Sequence, residues 1–242
     1  MMKSIFIPNK YNYLIWGNAL FLLVLLLLEL ADPISVVFAY FLETIIIGVF
    51  HCVKLWMVNT YGKSSKATAK MPTSSIGLIV FFIFHYGMFV AIQSIFLFSF
   101  FENELSQLKD GFHLIHNYGV ILRLEGMPIL IASLVVSNLK YFYTNFWKND
   151  QFKEYSPSGL FFRPYVRIFI QQFTVILAGF FFILLSEGFA AAVLLILFRL
   201  IVDLIILGIH RDSNNMDKLL RKITKTEAEY LEAKEKFQEF SE

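Results

Sequence analysis

Glu43, His51 and Lys54 interrupt an otherwise apolar stretch at residues 40–56, YFLETIIIGVFHCVKLW. On a helix, positions 43, 47, 50/51 and 54 share one face, so the three ionisable groups form a single polar stripe. Such groups cost about 2.5 to 3.5 kcal/mol each at the centre of a bilayer, which turns them toward other protein or a water-filled cavity. Further along the chain His85, Arg199, Asp203 and His210 also fall in apolar surroundings. Arg199, Asp203 and His210 are spaced i, i+4, i+11 and share a face of their own.

Three kinds of chemistry fit these residue types. Glu43 with Arg199 and Lys54 with Asp203 make opposite-charge pairs, the minimum that burial demands. Carboxylates beside imidazoles, whose unperturbed pKa is about 6.5, are the usual groups of a proton or solute pathway. His51, His85, His210, Asp203 and Glu43 together offer the donor types of a zinc site with an open position, the basis of a metal-dependent intramembrane hydrolase. No HxxxH or HExxH spacing fixes two ligands on one turn, and no GxSxG, phosphate-cradling glycine loop or GxGxxG is present. The expected set is therefore a buried polar cluster of Glu43, His51, Lys54, His85, Arg199, Asp203 and His210. No cofactor is expected; if a metal is held, it is zinc, with His51, His85, Asp203 and His210 as the ligands. His113 and His116, at i, i+3, read as a solvated surface pair.

The elements that position these residues follow from composition. The 242 residues are 57% hydrophobic with 28 Phe, and the mean hydropathy of +0.62 lies outside the range of soluble globular domains. A net charge of +2 gives no footprint for nucleic acid. Cys52, the single cysteine, excludes an intrachain disulfide and reads as a packing residue. Apolar segments predict six transmembrane helices over 13–30, 34–58, 76–100, 119–147, 165–185 and 189–209, each long enough at 1.5 Å per residue for about 30 Å of hydrocarbon. The first of these reads as an uncleaved anchor rather than a signal peptide. Residues 102–118 read as an interfacial loop or short surface helix. Residues 1–210 thus make the membrane domain and 211–242 a cytoplasmic amphipathic helix, with a Glu232/Lys236 pair at i, i+4.

Lys and Arg concentrate before the first segment, after the second and fourth, and in the tail, while residues 31–33 and 186–188 have none. The positive-inside rule places both termini in the cytoplasm. Counted in helical rise from the segment ends, Glu43, His85 and Arg199 all reach the midplane, which predicts that the second, third and sixth segments pack together.

Three stretches, YFLETIIIGVFHCVK at 40–54, FHYGMF at 84–89 and FRLIVDLIILGIH at 198–210, resemble a prokaryotic integral-membrane family known only as a domain of unknown function. In that family an aromatic pair precedes a Glu, a His-Tyr-Gly occurs in the third span, and a basic residue, an Asp and a His mark the last. Tyr40, Phe41 and Glu43, then His85, Tyr86 and Gly87, then Arg199, Asp203 and His210 match. Phe41 stands where Trp is usual, and Gln93-Ser94 where a second His-Gly is expected. The resemblance implies that the polar cluster is the family's focus and transfers no activity. The reading is an all-α, six-span, multi-pass protein of a prokaryotic cytoplasmic membrane, with proton or small-solute transport or sensing ahead of hydrolysis and of a purely structural charge network. Its partners are the lipid bilayer, an ion or small molecule of unassigned identity and, compatibly, further copies of itself.

Overall fold

The computed structural model describes residues 6–9, 12–62, 75–148, 150–153, 155, 160–161, 163–185, 188–211, 221, 226–227 and 229–230. Among them every regular element is helical: α1 (Tyr13–Leu27), α2 (Pro33–Tyr61), α3 (Ser75–Phe101), a short α4 (Leu114–Ile121), α5 (Met127–Phe142), α6 (Arg163–Leu185) and α7 (Gly188–Arg211). Three helices are long and apolar enough to cross a membrane: Pro33–Tyr61, Ile76–Phe101 and Gly188–Ile205. The expected amphipathic tail at 211–242 falls almost wholly outside the described residues.

The fourth expected segment, 119–147, is divided. Residues up to Ile121 belong to α4, and α5 begins at Met127 after Gly126, whose φ is +76°. A side chain at 126 would press on Leu30 O at 2.4 Å and Ala31 Cβ at 2.5 Å, so glycine is required both for its backbone and for its space. Pro128 occupies the first turn, where its missing N–H costs nothing. At its far end α5 runs directly into a π-helical turn, Tyr143–Trp147, which extends the helical rod to 147.

α2 is the central helix. Every residue from Ser35 to Thr44 is buried, which happens only when neighbours surround a helix on all sides. It packs on α3, α5, α6 and α7, most extensively on α5. Burial then relaxes, and Val49, Val53 and Trp56 are exposed on one side. The outward faces of the other helices carry Phe84, Phe96, Phe169, Phe173 and Leu184, all exposed, an apolar belt around the bundle.

Contacts at the helix ends set the directions. The N-terminus of α5 rests on Leu30 and Ala31, and Gly188 at the start of α7 rests on Pro33 at the start of α2. Asp32 N–H reaches Glu125 O. α2, α5 and α7 therefore begin at the same end and run parallel. α3 runs against them, because Phe101 at its C-terminus meets Phe38 with ring centroids 5.5 Å apart, while Phe82 meets His51 further down at 4.9 Å. Phe38, Phe98, Phe101, Tyr118 and Phe182 interlock at this first end, each ring pair contributing about 0.5 to 1.5 kcal/mol beyond its buried area. α2 and α3 come close where Gly48 lies under the Tyr86 ring, leaving no room for a Cβ, which would stand 2.6 Å from Cε1. Small residues at such crossings let apolar helices gain dispersion contact where lipid offers no hydrophobic driving force.

The connection at 102–126 is ordered by a buried asparagine. Asn117 accepts Lys109 N–H at 2.9 Å and donates to Lys109 O and Asp110 O at 3.0 Å. Tyr118 donates to Ser94 Oγ at 2.7 Å, the Ser94 proton being committed to Val90 O. Burial pushes the Tyr118 phenol above its ordinary range, against the opposing pull of the Ser94 hydrogen bond. The region read as a loop or short surface helix is thus a loop and a short helix braced onto α3.

Candidate functional site at the α2, α5 and α7 junction

Glu43 lies ten residues after Pro33, Asn138 eleven after Met127 and Arg199 eleven after Gly188, in three parallel helices with aligned starts. At 1.5 Å per residue all three sit about 15 to 17 Å along their helices, at one level. The side chains meet there. The Arg199 guanidinium pairs with Glu43 Oε2, and Asn138 Nδ2 donates to Glu43 Oε1 at 3.2 Å and to Leu134 O at 2.9 Å. Arg199 Nε reaches Asp203 Oδ2 at 3.5 Å, one turn on in α7. The guanidinium also lies 4.0 Å from the centroid of the Tyr40 ring, a cation–π contact that a desolvated arginine favours.

Two carboxylates therefore flank one guanidinium. Glu43 is buried, Arg199 nearly so, and the Asp203 side chain is 35% exposed. The planar guanidinium turns a different nitrogen to each acid, Nη2 to Glu43 and Nε to Asp203, a bridging role for which its fixed fork of donors is suited. The set can exchange a proton at either carboxyl while the guanidinium holds its charge.

The structure distributes the other expected members elsewhere. His85 was placed at the level of Glu43 by counting from position 76, but α3 is 27 residues long, and its register on α2 sets His85 beside Gly48, roughly 7 to 8 Å further down. There His85 Nδ1 shares a hydrogen bond of 2.6 Å with the Tyr165 hydroxyl and stacks on Phe81. His51 lies against the Phe82 ring. Lys54 does not serve Asp203, whose partner is Arg199; its ammonium stands over the rings of Tyr141 and Phe146 at 5.5 and 5.4 Å. His210 is in the last turn of α7, and its side chain is outside the described residues. Among the described residues no group of three His, Cys, Asp or Glu is arranged to hold a metal ion. His113 pairs with Asp110 and His116 Nε2 with Gln107 O, on the surface.

Asn138, Tyr40 and Tyr165 complete these sites and were not counted among the cluster from sequence. For Asn138 the signal existed: it is as far from the start of its helix as Glu43 and Arg199 are from theirs. Recognising it requires knowing that α5 starts at 127, which the αL glycine decides.

No curated protein and no solved structure matches the chain. A model of a family of unknown function, DUF6498, matches residues 1–225. With an all-helical architecture and long apolar helices around a conjoined Glu–Arg–Asp site, the chain belongs to that family of unknown function, DUF6498.

Proposed function

We propose that this protein is a multi-pass membrane protein of a prokaryotic cytoplasmic membrane, crossing it six times, and that Glu43, Arg199 and Asp203 form a protonatable site for transport or sensing of protons or a small solute. The observation that carries this reading is two carboxylates on one guanidinium at the mid-length of three parallel apolar helices. A purely structural solution would use one acid per base, or none, because apolar side chains of similar volume fill such a position without the desolvation cost. Ionisable groups retained at that depth mark ion and proton routes.

Helix length favours five of the six crossings; α1, 15 residues rather than the 18 expected at 13–30, rises only about 22 Å and crosses fully only with the residues that flank it. α5 with its π turn covers 127–147, and α6 has 23 residues, each enough for about 30 Å. The connections at the shared start of α2, α5 and α7 hold only Lys109 and Arg123 as basic residues, whereas Lys63, Lys66 and Lys70 follow α2 in the sequence and Lys148, Lys153 and Arg163 fall between α5 and the body of α6. Both termini then lie in the cytoplasm.

Reconstitution into vesicles containing a pH-sensitive dye tests the functional part. Glu43→Gln and Asp203→Asn keep shape and hydrogen bonding but remove the exchangeable carboxylate, and each should reduce acid-pulse-driven proton entry at least tenfold while circular dichroism is unchanged. Entry equal to that of the unmodified protein in both variants contradicts the reading.

A further inference from the structure

Exposure along the two facing stripes of α2 and α7 is graded. On α7 the inward positions Ala192, Ile196, Arg199 and Asp203, at i, i+4, i+7 and i+11, have 0%, 0%, 11% and 35% exposure. On α2 the stripe that meets α7 at Tyr40 and Glu43 begins with Val36, Tyr40 and Glu43, all buried, and continues through Ile47, Phe50 and Lys54, all half-buried, the last two turned to Phe142, Tyr141 and Phe146 at the α5 border of the same space. The outward face of α7 is marked separately by Leu194, Leu197, Ile201 and Ile205, so the accessibility of Asp203 does not come from the lipid side of its helix. A carboxylate on an inward stripe is accessible only if a crevice opens inside the bundle. Both stripes open in the same direction, toward the end where α2 and α7 finish.

The opposite end is different. A recess of about 580 Å³ there is lined by Asp32, Pro33, Ile34, Glu104, Phe182 and Gly188 among others. Between it and Glu43 stand Val36, Tyr40, Ala192 and Ile196, a layer at most 3% exposed, with the Tyr40 ring laid on Arg199. Water in the recess is separated from the ion pair by roughly 14 Å of helix.

From this gradient we infer that the lower halves of α2 and α7 enclose a water-filled crevice entered from the lysine- and arginine-rich end, and that Asp203 is the carboxylate through which this water exchanges protons with the Glu43–Arg199 pair. The structure is the state open to that end and shut to the other, and the Tyr40 layer is the barrier. The inference rests on the proposed function for its ligand, the proton, but its geometry stands apart from whether protons cross. The charged and titratable groups near Asp203 are Arg199 on its own helix and Tyr40 on α2, with Glu43 across the shared guanidinium; further down α2, His51 lies against Phe82 of α3 and Lys54 over Tyr141 and Phe146. Arg167 of α6 and His210 belong to the same half of the bundle by sequence position, their side chains being outside the described residues.

The test is cysteine accessibility in the full chain in sealed vesicles, with Cys52→Ser as background and a membrane-impermeant, charged thiosulfonate reagent added to one face at a time. Lys148→Cys and Glu104→Cys, both exposed and at opposite ends, report which face is which. Asp203→Cys should be modified from the face that modifies Lys148→Cys and at least tenfold more slowly from the other, with Ala192→Cys unmodified from both. Ile47→Cys leaves all three charged residues intact and should follow Asp203→Cys, which covers the case of an Asp203 variant that fails to fold. Modification of Ile47→Cys from the Glu104 face, or from neither, overturns the inference. Lys148→Cys and Glu104→Cys reacting from the same face instead removes the six-crossing topology. Proton entry lost in Asp203→Asn with no labelling in the crevice keeps the functional reading and rejects this route to it.

Discussion

Two polar sites separated by one to two helical turns show how differently an imidazole and a carboxylate are accommodated in an apolar bundle. His85 needs one phenol: Tyr165 meets Nδ1 at 2.6 Å, and aromatic faces fill the rest of the space. Glu43 needs an arginine, an asparagine and a third helix. A single neutral hydrogen bond has a net worth of about 0.5 to 1.5 kcal/mol and tolerates partners of many kinds. A desolvated carboxylate left alone costs several kcal/mol, so its partners must arrive at one level from separate helices. That requirement explains the tight helix starts. Gly126 against Leu30 and Ala31, and Gly188 against Pro33, align α5 and α7 with α2 to within a residue.

The contrast predicts an ordered series of effects. Breaking the charged site by Glu43→Leu should cost about 3 to 5 kcal/mol in detergent-micelle unfolding, because it leaves the nearly buried Arg199 with only the longer, 3.5 Å contact to the partly exposed Asp203. Adding Arg199→Met to that variant should recover most of the loss, since an apolar pair of similar volume replaces the ions. Failure of the second change to restore stability would show that the pair is not the linked unit described. Next in size, Gly126→Ala forces an L side chain into φ +76° and against Leu30 O, and should cost about 1 to 3 kcal/mol, again by unfolding.

At the histidine site, Tyr165→Phe should cost about 1 kcal/mol and leave proton entry within twofold of the unmodified protein. A larger effect on flux than on stability would raise His85 to equal standing with the charged site. The smallest effect concerns the brace at Tyr118, a phenol raised above its ordinary value of 10.0 by burial. Its neutral form is favoured by folding, so its contribution is intact below pH 10 and lost as pH rises through the folded value. Protection of the 105–121 amides from hydrogen exchange, taken relative to the unfolded-chain rate at each pH, should therefore fall above pH 10, and Tyr118→Phe should remove that fall.

Much of this contrast was legible in the sequence. The i, i+4, i+7 spacing of Glu43 among apolar residues and the i, i+4 spacing of Arg199 and Asp203 are properties of one helix each, and pairing opposite charges at comparable depth joined α2 to α7 correctly. α2 against α3 also follows from the sequence, through the depth of a polar residue in each. What failed was the vertical scale of α3. Its 27 residues exceed a membrane's thickness, so counting from one end placed His85 too high, and only the Phe38–Phe101 contact fixes the register. The primary partner of α2, α5, was hidden for a related reason: its start depends on one αL glycine, and residues 119–126 look continuous with it in hydropathy. Lys54 was assigned to a carboxylate because both are charged. The aromatic rings that actually receive it, Tyr141 and Phe146, lie on α5 and its π turn, an irregular element that leaves no periodic signal.

The account turns on the charged junction, rather than the histidine beside it, being the site of exchange. The direct comparison is acid-pulse proton entry into vesicles bearing Asp203→Asn or His85→Ala, each checked by circular dichroism and thermal unfolding. The account predicts at least a tenfold loss for Asp203→Asn and a change of less than twofold for His85→Ala. Unimpaired entry with Asp203→Asn, or a comparable loss with His85→Ala in a folded protein, would contradict it.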